Sequence, residues 1–288
     1  MTRWAGVSFT KVSGGGNDFI LVEGGSSLRG DSAAEMARLL CARGRAVGAD
    51  GLIVVEPATE PGVHLRLKYF NADGSRAFCG NSTLCVARWA HQVKGLPARL
   101  KLATDEGSVQ AWVRGSRVQV DAPPVRGWRD GISLAPAGLE GRGTYLEVGC
   151  PHLVVRCGRP PDDAEFFERA APLRRHPDLL PGGANVDFIT VLDSHGLKIR
   201  TFERGVEAET LASGTGCLAA SLAAAAYGEV VSPVTCRPRG GEEIVVRFRR
   251  AGDLFTDLSL EGSAHLVYTG VLGPAAFSVG RGRSQDGR

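Results

Sequence analysis

Two stretches of one design organise the hydrophobic pattern of this chain. Leu65-Arg-Leu-Lys-Tyr-Phe70 carries apolar residues at alternating positions, the period of a strand. It turns through Ala72-Asp73-Gly74-Ser75 and reaches Cys79-Gly-Asn-Ser-Thr83, the entrance to a helical run over 84–92. Leu197-Lys-Ile-Arg-Thr-Phe202 repeats the strand, Glu203-Arg-Gly205 opens a second polar turn, and Ser213-Gly-Thr-Gly216 enters an Ala-rich helical run over 217–227 that Gly228 stops. Upstream segments also match. Val47-Gly-Ala-Asp-Gly-Leu-Ile-Val-Val55 resembles Gly183-Ala-Asn-Val-Asp-Phe-Ile-Thr-Val191, and Phe9-Thr-Lys-Val12 with its glycines resembles Tyr145-Leu-Glu-Val-Gly-Cys-Pro-His152. A repeat of this period predicts two similar domains, because solenoid units are far shorter.

The same patterning predicts strands over 9–12, 19–22, 52–55, 100–102, 109–113 and 118–120, and a helix over 33–43 capped by Asp31-Ser32. Pro123-Pro124 and the Gly/Pro-rich run to Gly143 mark the crossing between halves. The expected domains are therefore 1–125 and 126–275, with 276–288 a disordered tail. In the second half a charged helix over 162–171 reads as a solvated face, and 244–248 and 265–269 complete the sheet.

Chemistry concentrates at the two helix entrances. The first N–H groups of a helix have no partner inside it, so that end attracts anions and favours a thiolate. Cys79 in this position reads as a ligand-contacting thiol, with a small buried packing residue as the plain alternative. Two copies of the device place Cys79 and Ser213 at facing helix ends across one cleft.

At these residues the chain resembles the diaminopimelate epimerase family, cofactor-independent amino-acid epimerases of two pseudo-symmetric domains. Five blocks follow in order: Gly16-Asn-Asp-Phe19, Gly48-Ala-Asp-Gly-Leu52, Asn71-Ala-Asp-Gly-Ser75 with Cys79-Gly-Asn81, Asn185-Val186, and Glu203-Arg-Gly205 with Gly214-Thr-Gly216. The resemblance implies an α/β (α+β) fold in which each domain wraps a mixed or antiparallel sheet round a central helix. It implies epimerisation of LL-diaminopimelate to the meso form by two-base proton transfer, with Cys79 and Ser213 at the base positions and His152 and Glu203 tuning them. Asn17, Asn71, Asn185, Glu203 and Arg204 would contact substrate, and Gly80-Asn81 and Gly214-Thr215 would hold the reacting carboxylate. A small diamino-dicarboxylate substrate, no cofactor and a homodimer follow from the same likeness. For Arg204 a surface ion pair with Glu207 is the alternative to gripping a distal carboxylate.

The chain departs from the family pattern where it matters. The family carries cysteine at both base positions, and a hydroxyl at Ser213 is a far weaker acid. Cys150 stands where the family has a substrate-binding asparagine, Ser13 and Gly15 replace a usual His and Leu, and the spacing from Asn71 to Cys79 is one residue short. Cys217, one turn past Ser213, is expected to face the core. Three functions stay open: an epimerase of diaminopimelate or a close analogue, one-base isomerisation or dehydration on the same fold, and a weakly catalytic amino-acid-binding protein.

Composition narrows the rest. A hydrophobic content of 43%, a charged content of 23% and a net charge of +3 over 288 residues suit a globular chain and give nucleic-acid binding no basic patch. Seven cysteines without framework spacing point to a reducing, cytoplasmic setting, and no apolar run has the length of a signal peptide or membrane span. The six histidines show no i,i+4 pair, so no metal site is expected, and no phosphate-loop or dinucleotide fingerprint is present.

Overall fold

The computed structural model describes residues 4–25 and 31–277. The first half contains β1 (Ser8–Gly14), β2 (Asn17–Glu23), α1 (Asp31–Leu40), β3 (Gly51–Pro57), β4 (Leu65–Asn71), α2 (Gly80–Lys94), β5 (Arg99–Thr104), β6 (Gly107–Arg114) and β7 (Arg117–Asp121). The second contains β8 (Arg126–Ser133), β9 (Arg142–Glu147), β10 (Pro151–Arg156), α3 (Asp163–Arg174), β11 (Asn185–Asp193), β12 (Gly196–Glu203), β13 (Ala208–Thr210), α4 (Gly214–Ala226), β14 (Val234–Pro238) and β15 (Ile244–Ala251). A long strand, β16 (Leu254–Val271), comes last in the chain.

The pairing pattern duplicates. β1 is antiparallel to β2, β2 parallel to β3, β3 antiparallel to β4, and β4 parallel to β5. β9, β10, β11, β12 and β14 follow the same sequence of directions. The second parallel step of each half, β4 to β5 and β12 to β14, spans a buried helix, α2 in the first half and α4 in the second. This is the expected α+β architecture, with each half of one continuous sheet wrapped round a central helix. α4 is apolar on every side because strands of its sheet and α2 surround it, and its alanines let those strands approach closely.

Two expectations are corrected. Residues 265–269 do not complete the second half's sheet: they pair with β1, while 259–263 pair with β7. β16 thereby closes the first half into a ring of strands round α2 and ties it to β15 of the second half. Closure removes the edges that β1 and β7 would otherwise expose. The crossing after Pro124 is no plain linker either, since residues 126–133 form β8 against β9. The tail from residue 278 onward lies outside the described residues. Among those described, no helix is long and apolar enough to cross a membrane.

Candidate active site

Cys79 and Ser213 are the N-caps of α2 and α4, in nearly the same backbone conformation: φ −132°, ψ 111° and φ −135°, ψ 116°. Each side chain accepts a first-turn N–H, Cys79 Sγ from Ser82 at 3.4 Å and Ser213 Oγ from Gly216 at 3.1 Å. Both line one cavity of about 480 Å³, a volume suited to a small ligand. Asn17, Asn71, Gly80, Asn185, Glu203, Arg204, Gly214 and Thr215 line it too.

Two of the expected residues do not. Asn81 is buried beneath the cavity, where its Nδ2 donates to Asn17 Oδ1 at 2.8 Å and to Gly15 O at 3.3 Å. It props Asn17, whose own amide donates to Asp50 at 3.0 Å. An added Cβ on Gly214 would lie 2.8 Å from Asn81 Oδ1, so the mouth of α4 closes over this amide only with glycine there. His152 is likewise wholly buried, behind Cys150.

Burial pushes the Cys79 thiol up to about 12, outweighing the Ser82 N–H that pulls it down. Burial thus works against the thiolate that this helix end was expected to favour. Burial also pushes the Glu203 carboxyl up to about 7, and its Oε2 has no hydrogen-bond partner. Glu207 does not pair with Arg204; it binds Arg174 at 2.9 Å and Arg175 at 3.1 Å. Among the described residues Arg204 has no ion pair, although its backbone N–H is fixed by Asn185 Oδ1 at 2.7 Å. A partly buried guanidinium is left to face a ligand anion.

Sequence reasoning missed three features of the site. Arg174 and Arg175 end α3, whose charged face reads as solvated, yet Phe166, Ala170 and Leu173 bury its other side and bring both arginines to the cavity. Asp187, also missed, is fully buried against His152. Parallel register sets His152 opposite Asn185, so Asp187 follows two residues on along the same face. Cys150, read from the sequence only as a departure, lines the cavity beside Thr215.

The duplicated α+β fold that carries the two capped helix mouths has counterparts among solved structures. A solved structure of a probable proline racemase from Agrobacterium radiobacter K84 shares the fold, with a TM-score of 0.70 and 17% identity over 94% of this chain and 95% of that one. A family model described as Diaminopimelate epimerase matches residues 9–126 and 144–267. The diaminopimelate epimerase of Aquifex aeolicus (strain VF5) is 33% identical over 92% of this chain and 98% of its own length. That of Methanothrix thermoacetophila is 35% identical over 92% and 96%. The chain belongs to the diaminopimelate epimerase family and is an isomerase of the epimerase type.

Proposed function

We propose that the chain interconverts LL- and meso-diaminopimelate by moving a proton off one face of an α-carbon and onto the other, using protein groups alone. The observation that carries this reading is a single cavity holding both helix mouths and an Arg204 guanidinium with no ion pair among the described residues. The mouths suit the reacting carboxylate, because unpaired N–H groups stabilise the negative charge that grows as the α-proton leaves. Arg204, with Asn71 and Asn185, suits the distal carboxylate of a long dicarboxylate. Cys79 serves one face as an acid or base, and a group at the α4 mouth, where Ser213 is the cap, serves the other. Glu203, which lines this cavity, adds to the burial that holds the Cys79 thiol up.

The test is chiral separation of the products formed by the purified chain from LL-diaminopimelate near neutral pH. Appearance of the meso isomer is expected, with Cys79→Ala lowering the rate by about 10²- to 10⁴-fold, the usual worth of a positioned acid or base. No interconversion, or faster racemisation of proline than of diaminopimelate, would refute the substrate assignment.

A further inference from the structure

Cys150 sits between β9 and β10, directly before Pro151, and opens on the cavity that Cys79 and Ser213 share. Its sulfur lies 3.2 Å from His152 Nε2, 3.3 Å from Asn185 Nδ2 and 3.3 Å from Thr215 Oγ1 in the first turn of α4. The roles of these contacts are determined by what lies behind them. Asn185 Oδ1 accepts the Arg204 N–H, so Nδ2 is the atom offered to the sulfur, as a donor. His152 Nδ1 faces Asp187 Oδ2 at 2.6 Å, and a carboxylate only accepts, so Nδ1 carries a hydrogen. Nε2 is then the ring atom that exchanges a proton with the thiol. The other Asp187 oxygen accepts from Thr201 Oγ1 at 2.7 Å, and His152 and Asp187 are both 0% exposed. Gly216 leaves room for this carboxylate: an added Cβ would come within 2.6 Å of Asp187 Oδ1.

Thiol, imidazole and carboxylate in series are the parts of an activated sulfur. Among the described residues no other cysteine has an imidazole hydrogen-bonded to its sulfur. Ser213 has no such support. Its Oγ accepts the Gly216 N–H and meets only the Thr215 hydroxyl, at 3.5 Å.

We infer that Cys150, held by His152 and Asp187, is the proton-transferring group at the α4 mouth, and that Ser213 is a helix cap beside it. The inference rests on the epimerase reading above and names its second base. In the forward direction the Cys150 thiolate forms an S–H bond with the α-hydrogen as the C–H pair moves into the carboxylate. That pair then takes the proton of the Cys79 thiol on the opposite face, leaving a Cys79 thiolate. One proton is taken and one given, no electrons are lost, and exchange with solvent resets both sulfurs. His152 passes charge to Cys150 without touching substrate and is a positioning residue.

Two measurements on the full chain test this. In the first, α-hydrogen exchange and epimerisation of LL-diaminopimelate in D₂O are compared for the wild type, Cys150→Ala and Ser213→Ala, with circular dichroism as the check on folding. Cys150→Ala is expected to lose at least about 100-fold, and at least tenfold more than Ser213→Ala. A larger loss in Ser213→Ala overturns the inference. The second needs no substrate: iodoacetamide alkylation at pH 6, mapped by peptide mass. Cys150 is expected to react at least tenfold faster than the partly buried Cys157, and to slow tenfold or more in His152→Asn and Asp187→Asn. Alkylation no faster than at Cys157, or indifferent to both variants, overturns the inference. A chain inert toward diaminopimelate in the first experiment defeats the substrate reading alone, and alkylation then decides Cys150.

Discussion

Removing the guanidinium of Arg204 should expose how the enzyme measures its substrate. This cation has no carboxylate partner among the described residues, and the neighbouring Glu207 is held by Arg174 and Arg175. A carboxylate docked on it would gain a two-pronged, charge-assisted contact. A hydrogen bond to a charged group contributes about 1.5–3 kcal/mol, so losing even one prong of this contact converts to about a 10- to 150-fold loss in kcat/KM, the minimum expected for Arg204→Ala. Arg204→Lys should fall between, since the charge survives and the fork does not. The assay is deuterium exchange at the α-carbon, run in parallel on diaminopimelate and on lysine, which lacks the distal carboxylate. Arg204→Ala should cost its full factor on diaminopimelate and little on lysine, so the two substrates converge. An equal loss on both would show that Arg204 acts at the reacting end or in the fold, and the distal-carboxylate assignment would fail.

Glu203→Gln should alter the pH dependence of stability. Burial raises the folded-state carboxyl to about 7, above the ordinary value of 4.5. The folded chain therefore binds more protons than the unfolded one across that window, and wild-type stability falls as pH rises from about 4.5 to 7. Thermal melts should show Glu203→Gln gaining on the wild type between pH 5 and pH 8; a constant difference would contradict the buried carboxyl. Gly216→Ala places a methyl 2.6 Å from Asp187 Oδ1. Urea unfolding should show a loss of about 1–3 kcal/mol, the range for overpacking, together with slower alkylation of Cys150. Unchanged alkylation would mean that Asp187 does not govern that thiol.

The sequence reveals the duplication because its signals are local: alternating apolar strands, glycine turns and a small polar cap ahead of each helix. Those caps emerge with backbone angles only a few degrees apart. What it hides depends on long-range pairing. Nothing within residues 254–271 says that one strand will leave β15 and close the ring between β7 and β1. Asp187 looks like an ordinary polar residue inside Asn185-Val-Asp-Phe188, and only the register of β11 on β10 puts it against His152. Asn81 belongs to a recognisable block, yet its side chain turns inward to Asn17. The thiol of Cys79 shows the limit of reading a helix end by itself, since burial outweighs the N–H that should lower it. Cys217, by contrast, faces the core as its place one turn into an apolar helix implies.

The proposed reaction needs two proton carriers addressing opposite faces of one carbon. Its most direct test is the isotopic content of the first meso-diaminopimelate formed from protiated LL substrate in D₂O, read before appreciable conversion. Solvent deuterium is expected at the inverted α-carbon of essentially every product molecule, with protium still on the unreacted substrate. Product that keeps the substrate's own hydrogen at that carbon would mean a single base returns the proton it took, and would contradict it.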